Sequence, residues 1–315
     1  MSITCNHVGF IFLTIPGFDS DGGEDMTDST LAHPRRLLRS LTLALVLAAA
    51  LAAFAAAGAQ AANYVALGDS YAAGPFIPNP VLPLGCLKSD HNYPHDAAPG
   101  IGLALRDASC SGATTVDMTQ PQNVEPDGPN PPQFNSLDSS TTVVSLTIGG
   151  NDIGFSEVAE SCITLNPFSS PCKDKYDSGG KDQLAERIEA TAPKVAAVLQ
   201  GIHTRSPLAK IYVVNYPAIF PETGNGCWPQ MPISFSDAPY LRSTEQHLDA
   251  MLATEAAANG ATLVDWYKAS IGHDACKSSS VRWVEPLVPG SLAAPIHPNA
   301  TGMQGGANAL LAAVK

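Results

Sequence analysis

From residue 63 to the C-terminus, short apolar runs alternate with longer stretches of mixed polarity. Five segments read as buried strands from their apolar or β-branched content: 63–68 (NYVALG), around 105–109 (LRDAS), 142–148 (TVVSLTI), 210–215 (KIYVVN) and 261–265 (ATLVD). Between them, residues 181–204 place apolar side chains at three- and four-residue spacing, as do residues 240–258. Both read as amphipathic helices, and Pro193 is expected to kink or restart the first. Residues 300–314 are small and apolar and read as a closing helix. Strands alternating with helices imply βαβ units and a parallel sheet flanked by helices. The Pro-rich stretches 75–84, 121–133 and 217–239 read as long loops, and cysteines lie in or beside two of them. Long ordered loops in a compact domain are usually functional or covalently pinned.

The pattern before residue 62 is of another kind. HPRRLLRS supplies a basic stretch with Arg35, Arg36 and Arg39, followed by the apolar run LTLALVLAAALAAFAAAGA and the small-x-small triplet AQA at 59–61. This is the layout of a secretory signal peptide, with cleavage expected after Ala61. An uncleaved anchor is the competing reading, since the run approaches bilayer-spanning length. The alanine richness and the A-x-A end favour cleavage and no lasting membrane anchor. Residues 1–25 resemble no signal n-region, so Met26 is an alternative start. The division expected is a leader at 1–61 and one domain over 62–315.

Composition adds limits. The chain has 315 residues, 45% hydrophobic and 15% charged, with a formal net charge of −12. No basic patch suggests a nucleic-acid partner, and an anionic surface would repel the chain. Beyond Cys5 in the leader there are six cysteines: Cys86, Cys110, Cys162, Cys172, Cys227 and Cys276. An even number in an exported chain suggests disulfides, with fifteen possible connectivities. Nearest-neighbour pairing would give 86–110, 162–172 and 227–276. There is no C-x-x-C pair, so cysteine-bound zinc is not expected.

Candidate chemistry begins where the first strand ends, at VALGDSYAAG. Gly68, Asp69 and Ser70 could form an ordinary turn and helix cap. They could also present Ser70 as a nucleophile at the carboxyl edge of a sheet, where open α/β folds place their sites. The partners lie further on. Strand 142–148 runs into GGND, where Asn151 offers an amide; strand 105–109 runs into CSGATT, where Gly112 offers an N–H; and HPNATG carries His297 ahead of the last helix. A serine hydroxyl needs a base within about 3 Å, and a tetrahedral oxyanion needs preorganised donors. Ser70, His297 and the donors Ser70 N–H, Gly112 and Asn151 would meet both needs.

GDSYAAG, the glycine of CSGATT, GGND and HPN together resemble the four blocks of the SGNH (GDSL-type) hydrolase superfamily, in order, across residues 63–315. They are most similar to its secreted, disulfide-bonded actinobacterial esterases and lipases. The resemblance implies a three-layer flavodoxin-like α/β fold with about five parallel strands, a serine nucleophile, and an oxyanion hole from Ser70, Gly112 and Asn151. It also implies sequential disulfides, which agrees with the nearest-neighbour pairing. One departure matters. The usual acid three residues before the histidine is Ala294 here, and no Asp or Glu lies between Glu285 and His297. Some members of the group use a dyad, so the Ala294 carbonyl is expected to orient His297; Glu285 or Asp265 is the alternative.

The activity expected is two-step hydrolysis of small-molecule or lipid carboxylic esters by a secreted, monomeric serine esterase or lipase without metal or organic cofactor. Deacetylation of a carbohydrate or acyl transfer is an alternative on the same machinery, and a catalytically silent surface or carbohydrate-binding protein is an alternative of another class. Other residues read as structural. His91 and His95 are spaced i,i+4 but straddle Pro94; SPCK at 170–173 includes a cysteine expected in a disulfide; and the sequon Asn299–Thr301 adjoins His297. Asp152 is expected to brace its loop, Trp228 and Trp283 to pack or line a pocket, and His203, His247 and His273 to have no role.

Overall fold

The computed structural model describes residues 64–315; the leader and signal peptide expected at 1–61 lie outside them. The five strands form one all-parallel sheet: β1 (Tyr64–Gly68), β2 (Leu105–Asp107), β3 (Val143–Thr147), β4 (Lys210–Val214) and β5 (Thr262–Val264). Their spatial order is β5-β4-β3-β1-β2, in register Tyr64–Val143 and Tyr64–Leu105 on the two sides of β1. This is the doubly wound flavodoxin order, whose switch point opens at the carboxyl ends of β1 and β3.

Side-chain alternation divides the core into two layers. Val65 and Leu67 face one way and pack with Val144, Leu146 and Val213 beneath two long helices, α2 (Gln183–Arg205) and α3 (Asp237–Ala258). Tyr64 and Ala66 face the other way, with Tyr212 and Val214, beneath α1 (Tyr93–Ile101) and α4 (Ala300–Val314). This period of two is what a strand buried on both faces requires. A third apolar cluster packs Val158 and Leu184, from two helices, against Ile219, Met231 and Ile233 of the long 217–239 loop.

One expectation about a helix needs correction, and one helix lay outside the apolar pattern. Pro193 neither kinks nor restarts α2, which is one helix from 183 to 205. Its missing N–H costs about 3 kcal/mol, but Ile188, Val195, Leu199 and Ile202 are fully buried on the same core face. Helix α1 was hidden by Pro94 and Pro99. Asn92 caps it by accepting the His95 N–H, and Pro94 stands in the first turn, where no donor is needed. Strand β2 stops at Asp107 because its carboxylate accepts the Ser109 N–H and hydroxyl at 2.9 and 2.6 Å, turning the chain. Disulfides join Cys86–Cys110, Cys162–Cys172 and Cys227–Cys276.

Candidate active site

At the end of β1, Gly68 adopts φ +147°, and a Cβ there would stand 2.5 Å from the Thr147 carbonyl oxygen. Only glycine allows this approach of β1 to β3. Asp69 then caps a single helical turn, Ser70–Ala73, by accepting the Tyr71 N–H at 2.9 Å. Ser70 is the first residue of that turn, so its own N–H is one of the donors a helix start leaves free.

Three loops meet this serine. Gly112 follows Cys110, whose N–H donates to Gly68 O at 3.0 Å. The Gly112 N–H has no protein acceptor among the described residues. After β3, the Gly150 N–H donates to the Tyr216 hydroxyl at 2.8 Å, and a Cβ on Gly150 would lie 2.9 Å from that oxygen. Asn151 Nδ2 donates to Ala113 O at 2.9 Å. One amide proton thus ties the β3 loop to the Gly112 loop, and the second remains available. Asp152 reinforces the same junction by accepting the Thr115 N–H and hydroxyl at 3.0 and 2.5 Å, the bracing expected of it.

His297 completes the group. Its Nε2 lies 2.7 Å from Ser70 Oγ, and its Nδ1 lies 2.7 Å from the Pro295 carbonyl oxygen. A carbonyl can only accept, so Nδ1 carries the proton and Nε2 presents a lone pair to the serine hydroxyl. The expected acceptor, Ala294 O, is therefore corrected to Pro295 O. The Ala294 carbonyl instead accepts the His297 backbone N–H at 3.2 Å, closing a turn over 294–297. Pro295 occupies the second position of this turn and Ile296, at φ +61°, the third, the pattern of a type II turn. Burial pulls the imidazole below its ordinary value of 6.5, only partly offset by the Pro295 carbonyl.

Ile296 is β-branched, and a left-handed conformation is costly for it. Several bonds hold it there: its N–H donates to Glu285 O at 3.0 Å, the Glu285 N–H donates to His297 O at 2.9 Å, and the Tyr71 hydroxyl donates to Ile296 O at 2.6 Å. The Tyr71 ring also lies on His297, with centroids 4.8 Å apart. Neither alternative acid reaches His297. Glu285 accepts from Arg282, Gly290 N–H, Ser291 and Asn299 at 2.7–2.8 Å. Although burial raises its pKa, these donors bring the carboxyl down to about 2. Asp265 caps the turn at Lys268 and accepts from Asn215.

Motif reading missed the shell beneath the serine. The Tyr216 hydroxyl donates to Asp69 Oδ2 at 2.6 Å while accepting from Gly150. Burial lifts the Asp69 carboxyl to about 7, against the pull of the Tyr216 and Tyr71 bonds. Glu245 and Asp249, one turn apart on α3, accept the Ile219 and Tyr216 N–H groups; burial pushes both carboxyls up. These positions carried no local signal, because the partners are 26 and 33 residues away in sequence.

Ser70, Gly112, Asn151 and His297 line one cavity of about 230 Å³. Most of its other walls are apolar, among them Phe155, Val158, Leu184, Met231 and Ile233, with Asp69, Ser111, Thr244 and Glu245 also lining it. Trp228 and Trp283 are not among its lining residues: the first donates to Thr164 O, and the second stacks on His273 at 4.3 Å. The sequon residue Asn299 is buried and caps α4. His91 stands before α1 against Asp90 and Asp96, while His95 sits within it against Asn92 and Asp107.

The GDSL-like lipase/acylhydrolase family profile matches residues 66–304. Lipase 2 of Streptomyces coelicolor is 40% identical over 248 residues, 76% of this chain and 81% of that protein. Lipase 1 of the same organism is 32% identical over 255 residues, 79% of this chain and 85% of its own. Among solved structures, phospholipase A1 from Streptomyces albidoflavus NA297 aligns with a TM-score of 0.66 at 26% identity, covering 80% of this chain and 99% of that one. The extracellular lipase from Streptomyces rimosus aligns with a TM-score of 0.62 at 26% identity, covering 80% and 100%.

Proposed function

Since the chain belongs to the GDSL-like lipase/acylhydrolase family and is an ester hydrolase of that kind, we propose that it works through an acyl-enzyme on Ser70. His297 Nε2 takes the hydroxyl proton as Ser70 Oγ attacks the ester carbonyl. The oxyanion is received by the Ser70 and Gly112 N–H groups and the free Asn151 amide proton, each donor contributing about 3–4 kcal/mol. His297 then gives the proton to the leaving alcohol, and in the second step it activates water to release the acid. The Pro295 carbonyl takes the orienting part of a triad acid, holding the imidazole in one tautomer.

The observation that carries this reading is the pair of 2.7 Å contacts on opposite nitrogens of His297, one to Ser70 Oγ and one to a backbone carbonyl. The apolar cavity beside them suits the acyl part of an ester better than a sugar. Residues 62–315 act as a single hydrolase domain that leaves the cell through the signal at 1–61. Three disulfides and an extracellular relative support that route. The test is Ser70→Ala. Hydrolysis of p-nitrophenyl butyrate should fall by several orders of magnitude, and a fluorophosphonate probe should label the parent chain but not the variant. Activity retained above a few per cent would overturn the assignment.

A further inference from the structure

We propose that the apolar hairpin at the mouth of the cavity, residues 80–89 together with Phe76, seats the enzyme on the surface of aggregated uncharged or zwitterionic lipid. The inference rests on the ester-hydrolase reading and names where its substrates are met. Pro80–Val81 pairs antiparallel with Lys88–Ser89. The segment between them holds Leu82 at 71% exposure, Leu84 at 45% and Leu87 at 37%, and Phe76 just before it is 60% exposed. Large apolar side chains scattered singly need no explanation, but four within twelve residues, two of them lining the serine's cavity, do.

This group is held outward by a braced frame. Cys86 is bonded to Cys110. The Ser111 N–H donates to Cys86 O at 3.0 Å, the Gly85 N–H donates to the Asp127 carboxylate at 2.6 Å, and the Ser89 hydroxyl donates to Pro78 O at 2.8 Å. The frame is thereby tied to the Gly112 loop. Phe76 and Leu87 are at once exposed surface and walls of the serine's cavity. Two of the exposed apolar side chains thus belong to the same cavity as Ser70 and His297.

Charge narrows the occupant. The hairpin's one lysine, Lys88, is buried with its ammonium donating to Asp107 O. Exposed carboxylates beside it include Asp90, Glu125 and Asp127, with His91 against Asp90, on a chain of formal net charge −12. Nothing there would draw an anionic headgroup. With three leucines against one phenylalanine, the rim is mainly aliphatic, which suits acyl chains better than the stacked aromatic platforms a polysaccharide surface would use. A neutral or zwitterionic lipid surface is what remains.

The test uses Ser70→Ala, which can bind without consuming its target, and phosphatidylcholine vesicles. Ser70→Ala should co-sediment with them. Adding Leu82→Ser and Leu84→Ser, neither of which lines the cavity, should weaken binding by at least about tenfold, as expected for two partly exposed leucines kept in water. In the Ser70 background the same pair should hydrolyse p-nitrophenyl acetate, a soluble ester, within about twofold of the parent, which also certifies the fold. Leu82→Trp should show a blue-shifted emission on adding vesicles. Equal binding by the double variant, no binding by Ser70→Ala, or a preference for phosphatidylglycerol vesicles would each overturn the proposal. So would a concentration-dependent dimer abolished by the two serines, which would make the occupant a second copy of the chain. A parent chain inert on the soluble ester would instead sink the hydrolase reading and leave the binding result standing.

Discussion

Tyr71→Phe is the sharpest test of how the histidine is held. The change keeps the ring that lies 4.8 Å from His297 and removes only the hydroxyl that donates to Ile296 O at 2.6 Å. Two energies then compete. A β-branched residue at φ +61° costs about 1–2 kcal/mol relative to ordinary backbone. The buried hydrogen bond that opposes this contributes roughly 0.5–1.5 kcal/mol net, and leaving the carbonyl unsatisfied costs about 1–3 kcal/mol. The terms are of one size, so the turn that aims Nε2 at Ser70 loses most of its margin. About 1.4 kcal/mol of lost preference is a tenfold fall in the competent population.

We therefore expect kcat on p-nitrophenyl butyrate to drop about tenfold, with KM changed by less than about threefold, because the hydroxyl contacts the loop and not the ester. The double-mutant cycle isolates the cause. In an Ile296→Gly background the positive φ carries no steric cost, so Tyr71→Phe should there cost clearly less. A Tyr71→Phe variant within about twofold of the parent would refute the reasoning. So would an equal penalty in both backgrounds.

Asn151→Ala should lower kcat by about 10²–10³ with little change in KM, the cost of one oxyanion donor; a fall below tenfold would remove Asn151 from that role. As the proposed base, His297 would act only when neutral, and burial holds its pKa below 6.5. The neutral fraction is lost as pH falls through that lowered value, so kcat/KM at pH 6.5 should exceed half its plateau; a midpoint at or above 7 would contradict this. Glu285 is depressed to about 2 from an ordinary 4.5. Its contribution to stability is present above pH 4.5 and lost as pH falls toward 2. Glu285→Gln should accordingly lower Tm by several degrees at pH 7, with a smaller difference near pH 2.5. Asp265→Asn, which touches neither His297 nor its loop, should leave hydrolysis within about tenfold.

What could be read from the chain was whatever is local. The strands announced themselves by apolar content, and the four short motifs each sit where a strand or loop delivers a side chain to one sheet edge. Chain ends of β1 and β3 meet because the doubly wound order puts those strands side by side, so Ser70 and Asn151 could be assigned to one crevice before any coordinate. The failures share a cause. Pro193 looks like a breaker, but a buried face outweighs a local preference of about 3 kcal/mol.

The acceptor of the His297 proton shows the same limit at the site. Counting three residues back gives Ala294, but Ala294 O is spent closing the turn, and the positive φ of Ile296 accompanies a turn in which Pro295 O faces Nδ1 instead. That φ is unfavourable for isoleucine in isolation, so local preference argues against it. It persists because Tyr71, 225 residues earlier, donates to the Ile296 carbonyl and Glu285 pairs with the loop from the other side. The tyrosine that follows the serine in the first motif is thus joined to the histidine of the last. In a chain with no acid at the usual place, the orientation of His297 rests on backbone geometry, and the geometry rests on that distant hydroxyl.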